Sequence, residues 1–478
     1  MPDRYHIHTV PMPAHFRRVG KFGNIDWRED CSRCTNCVKL RCLYDVYRHE
    51  SVYNRDPLAP VQTLDGCKAC LSCVQGCTKG LLNVGVNPEF LDMGDEYWKP
   101  DILLTTWNQS DAGRIPVSGA GYRGRFHGPG FDSIWTDMSE IVRPTRDGIH
   151  GREYISTSVD IGSKPIRLKF TADGKLLTPP SRLLELQLPA ILDMPAWPVA
   201  NDHLASARAA AAEELKSLAI MPAANASAAP PEQLPFIVPL VSDGDIEQSA
   251  GVLQAVPMAE VEDCADVLDL AARLHAINAK LFVSVRMLLC PATATRAVEL
   301  SRAGLNVLHL CADRHGRERL DNGQPGRHIK DVLREVHGRL VKEGLRDEVT
   351  LIVSGGIALA EHMAKAIICG ADLVAVDTPL LVALGCRVCR NAQGSDSKDD
   401  AASSCPAEIG SADTDYAAQR MVNLMGAWHS QLIEVLGAMG IREVRRLRGE
   451  VGRAIFMEDI EKEAFGDLLR VPRQQVLA

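Results

Sequence analysis

Two runs of cysteine carry the clearest chemistry in the sequence. The first reads CSRCTNCVKLRC and the second CKACLSCVQGC, and together they hold eight of the chain's 15 cysteines. Thiolates separated by two residues on a tight loop converge on one iron–sulfur cluster, while a fourth sulfur arrives from elsewhere. The spacing therefore predicts two 4Fe–4S clusters. Their ligands are Cys31, Cys34, Cys37, Cys42, Cys67, Cys70, Cys73 and Cys77.

The pairing of these cysteines follows from the way two-cluster bacterial ferredoxins are built, where the fourth cysteine of each run binds the other cluster. On that pattern one cluster is bound by Cys31, Cys34, Cys37 and Cys77. The other is bound by Cys67, Cys70, Cys73 and Cys42. The alternatives are a disulfide knot, which needs an oxidising compartment, and a pair of zinc sites, which usually use CxxC pairs at wider separation.

Composition narrows the class of protein. A chain of 478 residues suggests two to four domains, and a formal net charge of −8 argues against a nucleic-acid partner. The sequence contains no run of 18 or more apolar residues, and its first residues, MPDRYHIHTV, lack an apolar signal core. Since the thiols of a cluster module need a reducing environment, we expect a cytoplasmic protein with no membrane span.

The middle of the chain alternates short apolar runs with amphipathic helices. FIVPLVS (236–242), LQAVPM (253–258), LFVSVRM (281–287), NVLHLC (306–311), VTLIVSGG (349–356) and DLVAVDT (372–378) are typical of buried strands, and LPAILDM (188–194) is a shorter run of the same kind. AANASAAPPEQ (223–233) is typical of a loop. Because such strands lie in parallel sheets covered by helices, we predict an α/β fold, specifically a TIM barrel, with a doubly wound sheet as the competitor.

This pattern divides the chain into five parts. Residues 1–90 form a ferredoxin-like α+β domain with two 4Fe–4S clusters, and 91–180, rich in Gly, Pro and aromatic residues, form an extended wrapping segment. Residues 181–385 form the barrel, 386–410 a cysteine-bearing loop, and 411–478 a C-terminal helical segment. In the last part, the apolar spacing predicts one long amphipathic helix over 414–440.

The last two predicted barrel strands end in residues that are typical of a phosphate-binding site. One ends in Ser354-Gly355-Gly356 and the other in Asp377-Thr378. Barrels commonly bind phosphate in the loops after strands 7 and 8, where backbone N–H groups converge. A glycine pair is also an ordinary turn, so the alternative is a simple connection. His309, Asp313 and His315 lie at or just beyond a strand's carboxyl end, but no catalytic acid or base is nominated.

Three further cysteines follow the barrel in LGCRVCRNAQGSDSKDDAASSCPAEIG. We interpret Cys386, Cys389 and Cys405 as ligands of a third cluster, and a buried pair plus one exposed thiol is the alternative. Cys264, Cys290, Cys311 and Cys369 lie inside predicted helices and strands and are expected to be core thiols.

Two stretches resemble the glutamate synthase family. GLRDEVTLIVSGGIALAEHMAKAIICGADLVAVDTPLLVALGCRVC and MVNLMGAWHSQLIEVLGAMGIREVRRLRG are similar to the end of its FMN-binding barrel and the region after it. TDMSEIVRPTRDGIHGREYIST resembles the region before the barrel in the short, archaeal-type form, which also carries a ferredoxin module. The resemblance covers most of residues 20 to 455 and is most specific at the barrel's end.

The resemblance implies an FMN with its phosphate at Gly355, Gly356 and Thr378, next to Ser354, and a 3Fe–4S cluster on the cysteines after the barrel. The family's strand VSVKL carries a lysine near the flavin, and VSVRM places Arg286 there. The family's glycine before the threonine is Asp377 in this chain. The third-cluster cysteines are also spaced differently from those of the family.

The resemblance implies an iron–sulfur flavoprotein oxidoreductase that passes electrons between clusters and FMN and acts on an amino or imino acid. The alternative is an electron-transfer subunit of a larger redox complex, whose barrel is a scaffold without flavin chemistry. Neither an N-terminal cysteine nucleophile for glutamine hydrolysis nor an NAD(P) fingerprint is present. Both interpretations therefore imply other redox subunits, linked to NAD(P)H or ferredoxin, and possibly an amidotransferase subunit in a hetero-oligomer.

Overall fold

The computed structural model describes most of the chain. The described residues are 5–32, 34, 36–44, 67–115, 128–136, 154–164, 169–177, 182–194, 202–320, 324–389, 409 and 412–469, with backbone only at 23–27, 38, 39, 202 and 466–469. Cys405 and the stretch between the two cysteine runs therefore lie outside the described residues.

A two-stranded antiparallel sheet frames the cysteine runs. Its strands are β1 (Phe22–Trp27) and β2 (Leu82–Val86), and the short helices α1 (Val38–Arg41) and α2 (Ser72–Gln75) lie between them in the chain. Trp27 pairs with Leu82, so the start of the first cysteine run and the end of the second meet at one end of the sheet. The description of residues 1–90 as a ferredoxin-like domain remains a prediction.

The segment between this sheet and the barrel is partly helical. It contains α3 (Pro88–Leu91), α4 (Pro100–Ala112), β3 (Ile134–Thr136), β4 (Val159–Ile161) and β5 (Leu184–Leu186). Helix α4 has proline in its first turn and ends at Gly113, whose φ of 64° is the left-handed conformation favoured at a helix end. The composition of 91–180 did not indicate this helix, because its apolar stripe is interrupted by Thr106 and Ser110, which are both buried.

Eight parallel strands form a closed barrel, which confirms the predicted fold class. The strands are β6 (Ala190–Leu192), β7 (Ala219–Pro222), β8 (Ile237–Leu240), β9 (Met258–Glu262), β10 (Phe282–Leu288), β11 (Val307–Cys311), β12 (Thr350–Ser354) and β13 (Leu373–Val376). Strand β13 pairs with β6 through Val374 and Ala190, which closes the barrel and excludes the doubly wound alternative.

Helices follow the strands around the barrel. They are α5 (Asp202–Glu214), α6 (Ala223–Ala228), α7 (Ala250–Ala255), α8 (Val267–Ile277), α9 (Thr293–Arg302), α10 (Ile329–Lys342), α11 (Ala360–Cys369) and α12 (Thr378–Ala383). Short 3-10 turns occupy Gly130–Ser133, Pro231–Phe236, Asp243–Asp245, Arg346–Glu348, Val444–Leu447 and Val451–Arg453. Every residue of β12 and of β13 is buried, as expected for parallel strands covered on both sides.

The early barrel differs from expectation in three places. LQAVPM is not a strand: helix α7 ends at Ala255 and β9 begins at Met258, because the valine and proline between them end the helix. AIMP forms β7, a strand that was not predicted from the sequence. The predicted loop AANASAAPPEQ begins with α6, whose alanines favour a helix.

One long helix binds the N-terminal part of the chain to the barrel. Helix α13 (Thr414–Ala438) confirms the predicted amphipathic helix, and the Asp413 side chain caps it by accepting the N–H groups of Asp415 and Tyr416. It packs on α4, where Arg420 forms a 2.6 Å ion pair with Asp111. Strand β14 (Ala454–Phe456) then pairs with β3, and α14 (Met457–Leu469) follows.

A search of the described helices finds none with the length and apolarity needed to cross a membrane.

Candidate functional site

A cavity lies where the second cluster is predicted. Cys42, Cys67, Cys70 and Cys73, the four ligands predicted for that cluster, all line it, and its volume is about 310 Å³ including its open mouth. Cys42 and Cys73 are buried, Cys67 is half-buried, and Cys70 is exposed. Tyr44, Leu71 and Val84 complete much of the apolar wall. The structure therefore brings together the crossed ligand set that the spacing predicted.

The loop around this cavity holds an uncommon backbone conformation. Ala69 and Leu71, on either side of Cys70, have φ values of 51° and 61°. L-residues with a side chain rarely adopt this left-handed conformation, because Cβ approaches the following carbonyl oxygen. The loop therefore curls tightly, which is how cysteines spaced by two residues reach one cavity.

Hydrogen bonds to sulfur favour thiolates in both runs. Hydrogen bonds from Ser72 lower the pKa of Cys70 below its usual value, and the N–H of Leu81, 3.3 Å from Sγ of Cys77, lowers the pKa of that thiol. Burial raises the pKa of Cys73. Because metal binding requires the thiolate, hydrogen-bond donors at these sulfurs suit cluster ligands and tune a bound cluster.

Cysteines around a cavity are the arrangement that a 4Fe–4S cluster needs, because each thiolate binds a different iron and the ligands do not meet at one point. Among the described residues, no three His, Cys, Asp or Glu side chains are grouped closely enough to hold one metal ion. The described cysteines form no disulfide.

The other predicted cluster ligands are less enclosed. Cys31, Cys37 and Cys77 are half-buried and Cys34 is exposed. Cys37 and Cys77 pack on the small apolar group around Leu82, together with Cys42 and Cys73 of the other set. The two ligand sets are thus neighbours, as crossed ligands require.

The loop after α12 carries two of the three cysteines proposed for a third cluster. Cys386 is buried and Cys389 is half-buried, and the N–H of Val388 lies 3.5 Å from Sγ of Cys386. Val388 has a φ of 50°, the same left-handed conformation found beside Cys70. Cys405 lies outside the described residues, so the ligand set of this cluster remains a prediction.

This loop is attached to the segment that follows the cysteine module. Arg387 donates to Glu89 at 2.9 Å and to the carbonyl oxygen of Arg17 at 3.1 Å. The carbonyl oxygen of Arg387 accepts the N–H of Gly94 at 2.9 Å. The end of the cysteine module and the loop with Cys386 therefore form one contact region.

The five residues Gly94–Trp98, called here the bridging segment, continue onto the carboxyl end of the barrel. The Tyr97 hydroxyl donates to the carbonyl oxygen of Gly356 at 2.5 Å, and Trp98 Nε1 donates to the carbonyl oxygen of Arg314 at 2.9 Å. Although burial opposes it, the hydrogen bond from His315 lowers the pKa of Asp95 to about 2. No sequence signal pointed to this segment, because its partners are more than 200 residues away.

Charged side chains meet at the carboxyl ends of the barrel strands. Arg286 on β10 donates to Asp193 at 3.0 and 2.9 Å and to Glu260 at 2.7 Å. His309 on β11 lies 2.9 Å from Glu260 and 2.9 Å from the Ser354 hydroxyl. We call this set the barrel network; its members are Asp193, Glu260, Arg286, His309 and Ser354. The sequence analysis missed Asp193 and Glu260, although an acidic residue inside the apolar strand MAEVE was a usable signal.

The Ser354, His309 and Glu260 contacts resemble a nucleophile, base and acid. Burial alone would lower the pKa of His309, but Cys311 and Glu260 raise it to about 10. Burial likewise opposes ionisation of Glu260, yet His309 and Arg286 lower its pKa to about 2. The imidazole is therefore protonated at neutral pH and donates to both neighbours, so it cannot take the proton of Ser354. The arrangement is an ionic network and not a hydrolytic triad.

Of the groups expected to hold the flavin phosphate, one suits a phosphate ligand and others oppose it. Thr378 Oγ1 is buried and has no hydrogen-bond partner, which suits a ligand oxygen. However, the N–H of Thr378 already donates to the carboxylate of Asp377 at 2.5 Å. Burial and the nearby Asp193 raise the pKa of Asp377 to about 6, so at neutral pH a buried negative charge stands beside this position.

The glycine pair is enclosed by the protein. Gly355 and Gly356 have φ values of 88° and 70°, which a side chain would strain. A Cβ on Gly355 would lie 2.5 Å from the carbonyl oxygen of Asp313, and one on Gly356 would lie 2.6 Å from Cα of Gly316. The loop after β11 therefore packs directly against the pair. Together with Asp377 and the paired Arg286, these contacts do not fit an FMN at the expected residues.

Comparison with known proteins identifies relatives over most of the chain. The conserved region in glutamate synthase matches residues 245–442. The archaeal glutamate synthase [NADPH] of Archaeoglobus fulgidus is 24% identical, covering 98% of this chain and 98% of that protein. That of Methanocaldococcus jannaschii is 26% identical, covering 91% of this chain and 95% of that protein. Among solved structures, the flavin-binding domain of baker's yeast flavocytochrome b2 aligns with 80% of this chain and 86% of that chain, at 12% identity and a TM-score of 0.41.

Proposed function

We propose that the chain is a glutamate synthase-like oxidoreductase whose N-terminal module carries electrons through two 4Fe–4S clusters. Its similarity to archaeal-type glutamate synthases over most of its length supports this proposal. The cavity lined by Cys42, Cys67, Cys70 and Cys73 also supports this proposal, since these are the four ligands expected for one cluster on the pattern of two-cluster ferredoxins. A binding module without redox chemistry has no need for cysteines arranged around a cavity.

Electrons arrive at the exposed side of the module. Cys34 and Cys70 are the exposed members of the two ligand sets, so each cluster would have one edge close to solvent. A redox partner needs such an edge, because electrons move between proteins only when donor and acceptor come close. We therefore place the contact with an NAD(P)H- or ferredoxin-linked subunit on this side.

Inside the chain, the path leads toward the loop with Cys386 and Cys389. The contacts of Arg387 with Glu89 and Gly94 support this path, because they join the end of the module to that loop. A third cluster on Cys386, Cys389 and Cys405 would lie beside the carboxyl end of β13, where α12 leads into the loop. A 3Fe–4S cluster is the type that the family relationship favours.

The chemistry at the far end has two candidates. The family relationship favours an FMN in the barrel, with an amino or imino acid as substrate, and bound FMN would supply hydride transfer. The second candidate is an electron-transfer subunit whose barrel is a scaffold, with the substrate site in a partner subunit. The pairing of Arg286 with Asp193 and Glu260 favours the second candidate, because it neutralises the cation expected beside a reduced flavin.

Iron analysis of the purified chain tests the proposal. Two 4Fe–4S clusters require eight iron atoms per chain, and a third cluster adds three or four. The substitution Cys34→Ser is expected to remove about one cluster's worth of iron, because it deletes a ligand of the first set. Iron content that stays the same in this variant contradicts the ligand assignment, and a wild-type chain purified anaerobically without iron contradicts the proposal.

A further inference from the structure

The carboxyl end of a TIM barrel is where a flavin would bind, and in this chain that end is occupied by groups that satisfy one another. The Arg286 side chain is 15% exposed, while the side chains of Asp193 and Glu260 are 1% and 0% exposed. Both carboxylates are therefore buried. Arg286 pairs with both of them, and His309 pairs with Glu260 as well.

A flavin ring in contact with Arg286 would have to share this cation with two buried carboxylates. If Arg286 turned toward the ring, Asp193 would lose its closest cationic partner and Glu260 would lose one of its two, although both carboxylates are buried. If Arg286 stayed, its charge would already be neutralised and could not stabilise the negative charge of a reduced flavin. Either outcome weakens flavin binding relative to a barrel with an unpaired lysine at this strand position.

The phosphate end of the same site carries a further obstacle. Asp377 is 4% exposed and its carboxylate accepts the N–H of Thr378, a donor that a phosphate at this position would need. A phosphate dianion and this carboxylate would repel each other at close range. On the side of the glycine pair where a Cβ would stand, Asp313, Gly316 and Tyr97 leave no space.

The chemical types of these side chains, as well as their positions, oppose flavin binding. Three buried carboxylates lie on or directly after barrel strands: Glu260 is on β9, Asp193 follows β6 and Asp377 follows β13. We propose that this barrel does not bind FMN at its carboxyl end, and that the barrel network with Asp377 is a closed ionic core that replaces the flavin. This inference rests on the family assignment but not on the iron–sulfur proposal, because the two concern different residues.

Flavin analysis of the full chain, purified anaerobically with its clusters intact, tests this inference. The protein is denatured and the released flavin is measured by fluorescence, while iron is measured in the same sample. We expect iron at cluster stoichiometry and flavin far below one per chain. A second portion is dialysed against excess FMN and washed, so that flavin lost during purification can bind again.

The result that overturns the inference is flavin close to one per chain, either as purified or after dialysis. Absence of iron with or without flavin would instead contradict the proposed electron-transfer function, so the two failures are distinguishable. The variant Asp377→Gly, which restores the family's residue, gives a second measurement. If it gains FMN on dialysis while the wild type does not, the carboxylate is part of the obstacle. If the wild type and the variant bind FMN equally well, the inference is wrong.

Discussion

The cysteine module and the carboxyl end of the barrel differ in how their polar groups are satisfied. In the module, the four cysteines of the second set stand around a cavity, with hydrogen-bond donors placed at the sulfur of Cys70. In the barrel, Asp193, Glu260 and His309 are buried and bind other protein groups. The cysteines of the module are arranged around space for a bound group, whereas the buried charged groups of the barrel are paired with one another.

If the module binds clusters and the barrel binds no flavin, as we propose, this difference separates a cofactor site from a former one on the same fold. Both regions lie where the resemblance to glutamate synthases predicts redox groups. Only the module combines suitable ligands with space. In the barrel, the strands and helices are retained while charged side chains close the end of the cylinder. Fold alone therefore does not establish that a family's cofactor is present.

The largest expected effect concerns the crossed ligand of the module. Cys42→Ser should remove the cluster bound by Cys67, Cys70 and Cys73, although Cys42 belongs to the first run, because the cavity needs all four sulfurs. Iron content and the visible absorbance of the anaerobic protein would both fall by one cluster's share. The matched control is Cys264→Ser at an exposed cysteine outside the motifs, which should leave iron unchanged. Equal loss from both variants would contradict the assignment of Cys42 as a cluster ligand.

The next effect concerns the barrel network. Arg286→Ala removes one of the two cations that pair with the buried carboxylates of Asp193 and Glu260, leaving only His309, and should lower the free energy of unfolding by about 3–5 kcal/mol, measured by denaturant titration. The matched control is Arg273→Ala, since Arg273 pairs with Asp243 on the surface with side chains 45% and 75% exposed. That loss should stay below about 1 kcal/mol. Similar losses in the two variants would show that the barrel network is not a closed ionic core.

A smaller effect concerns Asp377 and depends on pH. Burial raises the pKa of this carboxyl from 3.8 to about 6, so the folded state holds the proton more tightly than the unfolded state. Stability therefore falls as pH rises from about 3.8 to about 6. Asp377→Asn keeps an acceptor for the Thr378 N–H but has no charge. It should raise the free energy of unfolding by about 1–3 kcal/mol at pH 7 and by little at pH 4.

The control for Asp377→Asn is the pH dependence of its effect on the free energy of unfolding. Denaturant titrations of wild type and Asp377→Asn at several pH values should give curves that separate above pH 4 and become parallel above pH 6. A constant difference at all pH values would mean that the substitution acts through packing and not through the charge.

The smallest effect concerns the bridging segment. Tyr97→Phe removes the hydrogen bond to the Gly356 carbonyl oxygen and keeps the ring, so unfolding should become easier by about 1 kcal/mol. Thermal unfolding measures this change. Tyr44→Phe, at an exposed tyrosine beside the cluster cavity, is the control and should have little effect. A loss no greater than that of the control would show that the segment is not anchored through this contact.

Features that depend on local pattern could be predicted from the amino-acid sequence. The grouping of Cys67, Cys70 and Cys73 followed from spacing, because residues two apart on a curled loop converge locally, whereas the assignment of Cys42 to the same cluster came from the ferredoxin pattern and depends on the fold that brings the two runs together. The barrel followed from apolar runs alternating with helices, since buried strands and amphipathic helices leave different periods in the sequence. The long helix at 414–438 was readable for the same reason, and its aspartate cap marks the start.

The tertiary structure decided which distant residues meet. Asp193, Glu260, Arg286 and His309 lie on separate strands, and only closure of the barrel brings their charges within hydrogen-bond distance. The bridging segment likewise reaches Gly356 across 259 positions of sequence. Sequence spacing carries no information about such contacts. The electrostatic character of the barrel's carboxyl end, and with it the fit of a flavin, could therefore be judged only from the folded chain.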